Sequence, residues 1–285
     1  MIPMGWARRV LRALAWWGAL ATSGAAVAAP APGLPPMIDA HSHYTAADAR
    51  QLSPADVVAT LDAAGVSRVV IAGTPAALAL QLHRHAPERV WPFLGVYASE
   101  ADKATWMHDL GLPQRVRALL DDGPWAGLGE LHLFARDAHS PVFAALVQMA
   151  AERGLVLMLH GDVEVVDRAF ALAPGLRVLW AHLGTDPEPA RLEAALDRHR
   201  GRALWVDTSV RDERIAPGGV LRPEWRALFE RHPARFVVAV DAFSTGRWQR
   251  YGAVVAAIRT WVDTLPPDLA QRLRHDNAVA MMAAR

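Results

Sequence analysis

Past a proline-rich stretch the chain reads Met37-Ile-Asp-Ala-His-Ser-His-Tyr44. Met37, Ile38 and Ala40 give this run the character of a β-strand, and it carries two histidines at i and i+2. On a strand, the period of two puts His41 and His43 on one face. Two neutral imidazoles side by side are half of a transition-metal site, because their ring nitrogens suit Zn, Mn, Fe or Ni. In a chain with twelve histidines the pair alone is a weak signal. It gains weight because four later strand-like runs also end in a potential ligand.

Those runs alternate with helices. Ser53-Pro54-Ala-Asp56 opens the first helix, with Ser at the cap, Pro at the first helical position and an acid in the first turn. Val57, Val58, Leu61 and Ala64 share one face of it, and Gly65 stops it. Further apolar strand-like runs are predicted at 68–72, 90–97, 127–131, 155–160, 176–182, 203–209 and 235–241. Pro92 is tolerable near the start of its strand. Helical patterns fall between them, clean at 141–154, and broken by Gly111 and Pro113 within 101–120. A long final helix is expected over 248–265. Eight short strands, apolar on both faces and alternating with helices, predict a single-domain α/β fold, the closed (β/α)8 TIM barrel. The runner-up, an open doubly wound sheet, is disfavoured because no Gly-rich phosphate loop follows the first strand.

The 285 residues are 52% hydrophobic and nearly neutral. That is core enough for one barrel, and no basic block suggests a nucleic-acid partner. Residues 1–28 read as a signal peptide, with Arg8, Arg9 and Arg12, a short apolar run over 13–21, and Ala26-Val27-Ala28 as the cleavage motif. The apolar run is too short for a comfortable span, so no stable membrane anchor is expected after cleavage. Adjacent arginines leave Sec and twin-arginine export both open. Removing this segment takes three of the 30 basic residues and none of the 29 acidic ones, leaving 27 against 29. Residues 29–36 form a stiff Pro-rich linker, and 37–285 the barrel domain. The absence of cysteine excludes disulfides, thiolate metal sites, a cysteine nucleophile and a lipoprotein anchor. A periplasmic or secreted location tolerates that composition.

In such barrels the chemistry sits at the carboxyl ends of the strands. Those ends hold His41 and His43, Glu130, His160, His182 and Asp241. Elsewhere, charges fall mostly in helices and loops.

The chain resembles the amidohydrolase superfamily of metal-dependent hydrolases over nearly its whole mature length. The resemblance rests on Asp39-Ala-His-Ser-His43, Gly129-Glu-Leu131, Leu159-His160, Trp180-Ala-His-Leu-Gly184, Val240-Asp241 and Asp276-Asn-Ala278. Within the superfamily it is most similar to the amidohydrolase-2 branch, and Glu130 resembles the corresponding position of TatD-like hydrolases. The resemblance implies that His41, His43 and Asp241 hold a more buried divalent metal, with zinc the foremost choice. His160 and His182 would then hold a second metal or position substrate, and Glu130 would bridge or ligate. Asp241 would also take the proton from the attacking water, with His182 beside it in catalysis. A divalent cation lowers the pKa of water and polarises a scissile bond, and a neighbouring carboxylate can serve as base.

One departure matters. Many binuclear relatives bridge their metals with a carboxylated lysine on strand four, whereas the only lysine here is Lys103, ahead of that strand. Either Glu130 bridges two ions, or one ion is held and Glu130 serves beside it. Arg211, after strand seven, is a candidate for gripping a substrate anion. His132 reads as a rim residue, Asp207 as structural, and Asp39 as a partner of nearby backbone. The reading is an exported metal-dependent hydrolase acting on a small-molecule ester, lactone or amide. The alternatives are a TatD-like phosphoesterase or nuclease, a mononuclear decarboxylase or hydratase, and a non-catalytic metal- or ligand-binding barrel.

Overall fold

A computed structural model describes residues 35–283. The expected signal segment and linker residues 29–34 lie outside the described residues. Eight parallel strands form one sheet in sequence order: β1 (Met37–Thr45), β2 (Val66–Thr74), β3 (Val90–Leu94), β4 (Gly127–Leu133), β5 (Val156–Gly161), β6 (Arg177–Trp180), β7 (Ala203–Asp207) and β8 (Phe236–Val237). The sheet curls until its two ends meet. The Ala40 N–H donates to Val238 O (3.2 Å), the Asp241 N–H to His41 O (2.7 Å) and the His43 N–H to Ala242 O (3.3 Å). The strand expected over 235–241 thus has only two regular residues, but its extended continuation is what bonds β1.

Two apolar layers hold the fold. Outside the sheet, residues such as Val69, Leu128, Leu159 and Val206 pack against the helices. Inside, Ile38, Ala40, Val70, Met158, Leu179, Trp205, Val237 and Ala239 form a second cluster. Ala278 and Met281, from the carboxyl-terminal helix Asn277–Ala283, join that inner cluster and so close the floor of the barrel. Asn277 fastens this helix, its Nδ2 donating to Pro233 O (2.9 Å) and Phe236 O (2.8 Å).

Helix Pro54–Ala64 forms as its sequence predicts, with Ser53 and Asp56 in a capping box and Gly65 left-handed at its end. Two stretches differ from expectation. Residues 101–120 give short 3-10 turns, Glu100–Ala104 and Trp106–His108, before helix Leu112–Asp121, because Gly111 and Pro113 restart the chain there. The helix expected over 248–265 is two segments, Thr245–Gln249 and Tyr251–Val262, and is not the last, since Pro267–Gln271 and Asn277–Ala283 follow it. Among the described residues, no helix is long and apolar enough to cross a membrane.

Candidate active site

Inward-facing positions alternate along each strand until they reach the mouth. Val156 and Met158 lead to His160 on β5, Trp205 leads to Asp207 on β7, and Val237 and Ala239 lead to Asp241 beyond β8. On β1 the register against β2 slips between Asp39 and Ser42, passing the inner face from Ile38 and Ala40 to His41 and His43. A similar slip on β4, between Leu128 and Leu131, turns Glu130 inward. Gly129 is required at that slip. Its φ is +123°, and a Cβ there would lie 2.4 Å from Met158 O. His182 follows β6 in a 3-10 turn at φ 60°, and Asp241 sits at φ 54°, both left-handed. Non-glycine residues held there cost energy and concentrate at functional sites.

All six predicted ligands converge. Glu130 is the hub, with Oε1 3.0 Å from His160 Nδ1, 3.0 Å from His182 Nε2 and 3.7 Å from His41 Nε2. Its Oε2 lies 3.4 Å from His43 Nε2 and 2.9 Å from His132 Nε2. His41 and His43 point their Nε2 atoms at each other across 3.1 Å. Asp241 Oδ1 lies 3.3 Å from the His43 nitrogen and 3.8 Å from that of His41.

Burial works against the charge of Glu130, but the field of His41 and hydrogen bonds from His132, His160 and His182 outweigh it and hold the carboxyl well below its usual range. Burial likewise opposes ionisation of Asp241, and His41 and His43 bring it down to about 2. Burial disfavours protonated His41 and His43, yet the surrounding carboxylates raise both.

Beyond the expected set, Asp207 has a precise place. Its Oδ2 lies 3.0 Å from Nδ1 of His41, and its Oδ1 accepts the N–H of His182 (3.1 Å) and the hydroxyl of Ser209 (2.5 Å). Ser209 Oγ in turn is 2.8 Å from His182 Nδ1. Asp207 thus orients both rings, and the parity Ala203, Trp205, Asp207 was the sequence signal for it. His132, expected at the rim, stacks on His160 with ring centroids 4.2 Å apart besides contacting Glu130. Asp39 accepts from the backbone N–H groups of His41 (3.2 Å) and Val240 (2.9 Å), as expected, and also from Tyr251 Oη (2.8 Å). Arg211 donates through Nε to His182 O (3.0 Å) and through Nη2 to Gly184 O (3.4 Å), so it braces the turn carrying His182. Lys103 pairs with Glu100 at 2.8 Å, in the turn Glu100–Ala104 ahead of β4 rather than on the strand.

The donor set fits a divalent metal. Asp241 Oδ1 is buried and accepts no hydrogen bond among the described residues. Facing imidazole nitrogens at 3.1 Å repel unless a cation or proton lies between them. His41 Nδ1 is engaged by a carboxylate, the usual way of orienting a ligating imidazole. Three groups of ligand atoms lie close enough to share an ion: His41, His43 and Asp241; Glu130, His160 and His182; and His41, His182 and Asp207.

The amidohydrolase family model matches residues 16–282, and the chain belongs to that family. It is accordingly a hydrolytic enzyme. No curated protein matches it. Solved structures share the fold at low identity. A protein assigned as 2-pyrone-4,6-dicarboxylic acid hydrolase from Pseudomonas putida is 21% identical, with a TM-score of 0.60 over 87% of this chain and 97% of that one. An amidohydrolase from Burkholderia multivorans with bound zinc is 16% identical, with a TM-score of 0.53 over 87% and 99%. The phosphotriesterase homology protein from Escherichia coli, with phosphate in its active site, is 14% identical, with a TM-score of 0.61 over 85% and 97%.

Proposed function

We propose that this amidohydrolase is a metal-dependent hydrolase cleaving a small-molecule ester, lactone or amide. The observation that carries the proposal is the buried Oδ1 of Asp241, without a hydrogen-bond partner and facing the ring nitrogens of His41 and His43. His41, His43 and Asp241 would hold one ion, and Glu130, His160 and His182 a second, with Glu130 between them. Zinc is the first choice, supported by the zinc in the B. multivorans structure. When bound, a divalent cation supplies Lewis acidity, lowering the pKa of water and polarising the scissile carbonyl.

Asp241, ionised at neutral pH, is placed to receive the proton of attacking water and pass it to the leaving group. His182 is fixed by Asp207 and Ser209 for contact with the reacting carbonyl. Arg211, already braced on the 182–184 turn, is the proposed grip for an anionic group of substrate or product. The lactone choice draws on the 2-pyrone-4,6-dicarboxylic acid hydrolase assignment of the P. putida neighbour.

The test is a panel of esters, lactones, amides and phosphodiesters, run on chelator-stripped protein before and after Zn²⁺ or Mn²⁺ is restored. Metal-dependent turnover of a carboxylic substrate is expected. Turnover of phosphodiesters alone would replace this reading with a phosphoesterase, and inactivity throughout would overturn the choice of bond. Export is proposed from Arg8, Arg9 and Arg12 and the Ala26-Val27-Ala28 motif. Amino-terminal sequencing of protein recovered outside the cytoplasm should begin near Ala29, and an intact Met1 would overturn cleavage.

A further inference from the structure

Among the described residues, the only exposed aromatic side chains are Phe134 (39%) and Phe243 (52%). The other aromatics are buried or half-buried. Both flank the site. Phe134 follows Glu130 by four residues and sets its ring edge-on to His160, with centroids 6.3 Å apart. Phe243 follows Asp241 by two. Strands four and eight lie on opposite sides of an eight-stranded barrel, so the two residues sit on opposite rims of the mouth.

Phe243 also walls a cavity of about 610 Å³ at the carboxyl ends of β1, β2 and β3, whose lining includes the residues two to five positions along the chain from His43 and from Asp241. Ala46, Ala47 and Ala98 with Phe243 give it an apolar lining, and its charged members, Asp48 and Glu100, are both acidic. Asp48 is held by the Thr45 N–H and hydroxyl and by Thr245 Oγ1 (2.8 Å). Two cations of neighbouring turns are engaged: Lys103 by Glu100, and Arg247 by the carbonyls of Val240 and Asp241. An anionic group placed in the cavity would meet the carboxylates of Asp48 and Glu100. Large exposed apolar side chains beside a site mark a binding surface, and the volume lies within the range of small-molecule pockets.

We infer that this cavity, closed by Phe243, receives an uncharged, apolar arm of the substrate, with Phe134 as the opposing rim. The inference rests on the hydrolase reading and narrows its substrate to esters or lactones carrying an alkyl or aryl substituent. It sets the chain apart from an enzyme that recognises carboxylates on both ends of its substrate.

The experiment is a series of γ-lactones whose alkyl arm lengthens by one methylene at a time, beside matched lactones whose arm ends in a carboxylate. In the metal-loaded enzyme, kcat/KM should rise about two- to fourfold per methylene, the scale of removing one CH₂ from water. The carboxylate-ended members should be poorer. F243S should flatten the dependence, and F243L should keep most of it. Equal or better turnover of the carboxylate-ended series would overturn the inference. So would a dependence that survives in F243S.

Binding of the corresponding cyclic ethers, which cannot be hydrolysed, is followed in parallel by ligand-observed NMR. Chain-length-dependent binding that F243S abolishes, without turnover of any lactone, would uphold the cavity and reject the hydrolase reading. No preference for apolar arms in either assay would reject the cavity.

Discussion

Asp207 Oδ2 lies 3.0 Å from Nδ1 of His41, and both side chains are fully buried. This contact sets the tautomer of His41 and leaves Nε2 for the site. Because Asp207 also receives the His182 N–H, one carboxylate aligns ligands from two strands. Asp207→Ala should therefore lower metal affinity about 10- to 100-fold, the usual effect of removing such an orienting partner. Competition with a fluorescent chelator measures it. Unchanged affinity in a folded variant would mean His41 is positioned by something else.

Glu130→Gln keeps the shape of the hub but removes the charge that faces His41, His132, His160 and His182. The expected result is loss of the ion at Glu130, His160 and His182, retention of the one at His41, His43 and Asp241, and about a 100-fold fall in kcat. Elemental analysis with steady-state kinetics checks both. A variant that keeps wild-type metal content and rate would remove Glu130 from the chemistry.

Acid should strip the metal through the histidines rather than the carboxylates. Asp241 is lowered to about 2 and Glu130 lies well below its usual range, so neither gains a proton in mild acid. His41 and His43 are raised by the carboxylates around them, so in the metal-free site protons compete for their nitrogens from above the ordinary imidazole value of about 6.5 downward. Metal affinity should hold at alkaline pH and fall steadily as pH drops through neutrality. Affinity unchanged down to pH 5 would contradict histidine ligation.

Asn277 ties the floor helix to β8 and to the turn before it with two hydrogen bonds from a buried amide. Asn277→Ala leaves the carbonyls of Pro233 and Phe236 without that donor and should cost about 2 kcal/mol of stability. Urea unfolding should show a lower midpoint with an unchanged slope. An unchanged midpoint would show that the helix is held by the packing of Ala278 and Met281 and by the Arg177 bonds to Met281 O and Met282 O.

The repeating pattern of apolar runs and capped helices made the eight-stranded fold legible, because the strands are buried on both faces and several helices open on a capping side chain or a proline. Helix Pro54–Ala64 is the clearest case, with cap, proline and terminal glycine all in place. The six ligand types were legible because strand ends in an apolar chain seldom carry charge without cause. Less legible were contacts that depend on local backbone. His182 enters the site through a left-handed turn, and Glu130 and His41 through register slips that a simple period of two does not contain. His132 looked like rim because nothing in its own sequence shows that His160 will stack on it. Asp207 was readable by parity, but its role depends on His41 and Ser209 arriving from elsewhere in the chain. Phe243 was readable only as lying just past a strand end, where it could shape the pocket, and Phe134 gave no pattern, since exposure at the mouth is decided by loops.

The most direct test of the central claim is metal stoichiometry, by elemental analysis, on mature protein prepared without chelators, beside a His41→Ala/His43→Ala double variant. Two equivalents per wild-type chain are expected, with at least the ion at His41, His43 and Asp241 lost in the variant. One equivalent would leave Glu130 beside a single ion. No metal in the wild-type protein, even after reconstitution with Zn²⁺ or Mn²⁺, would contradict the assignment of this constellation as a metal centre.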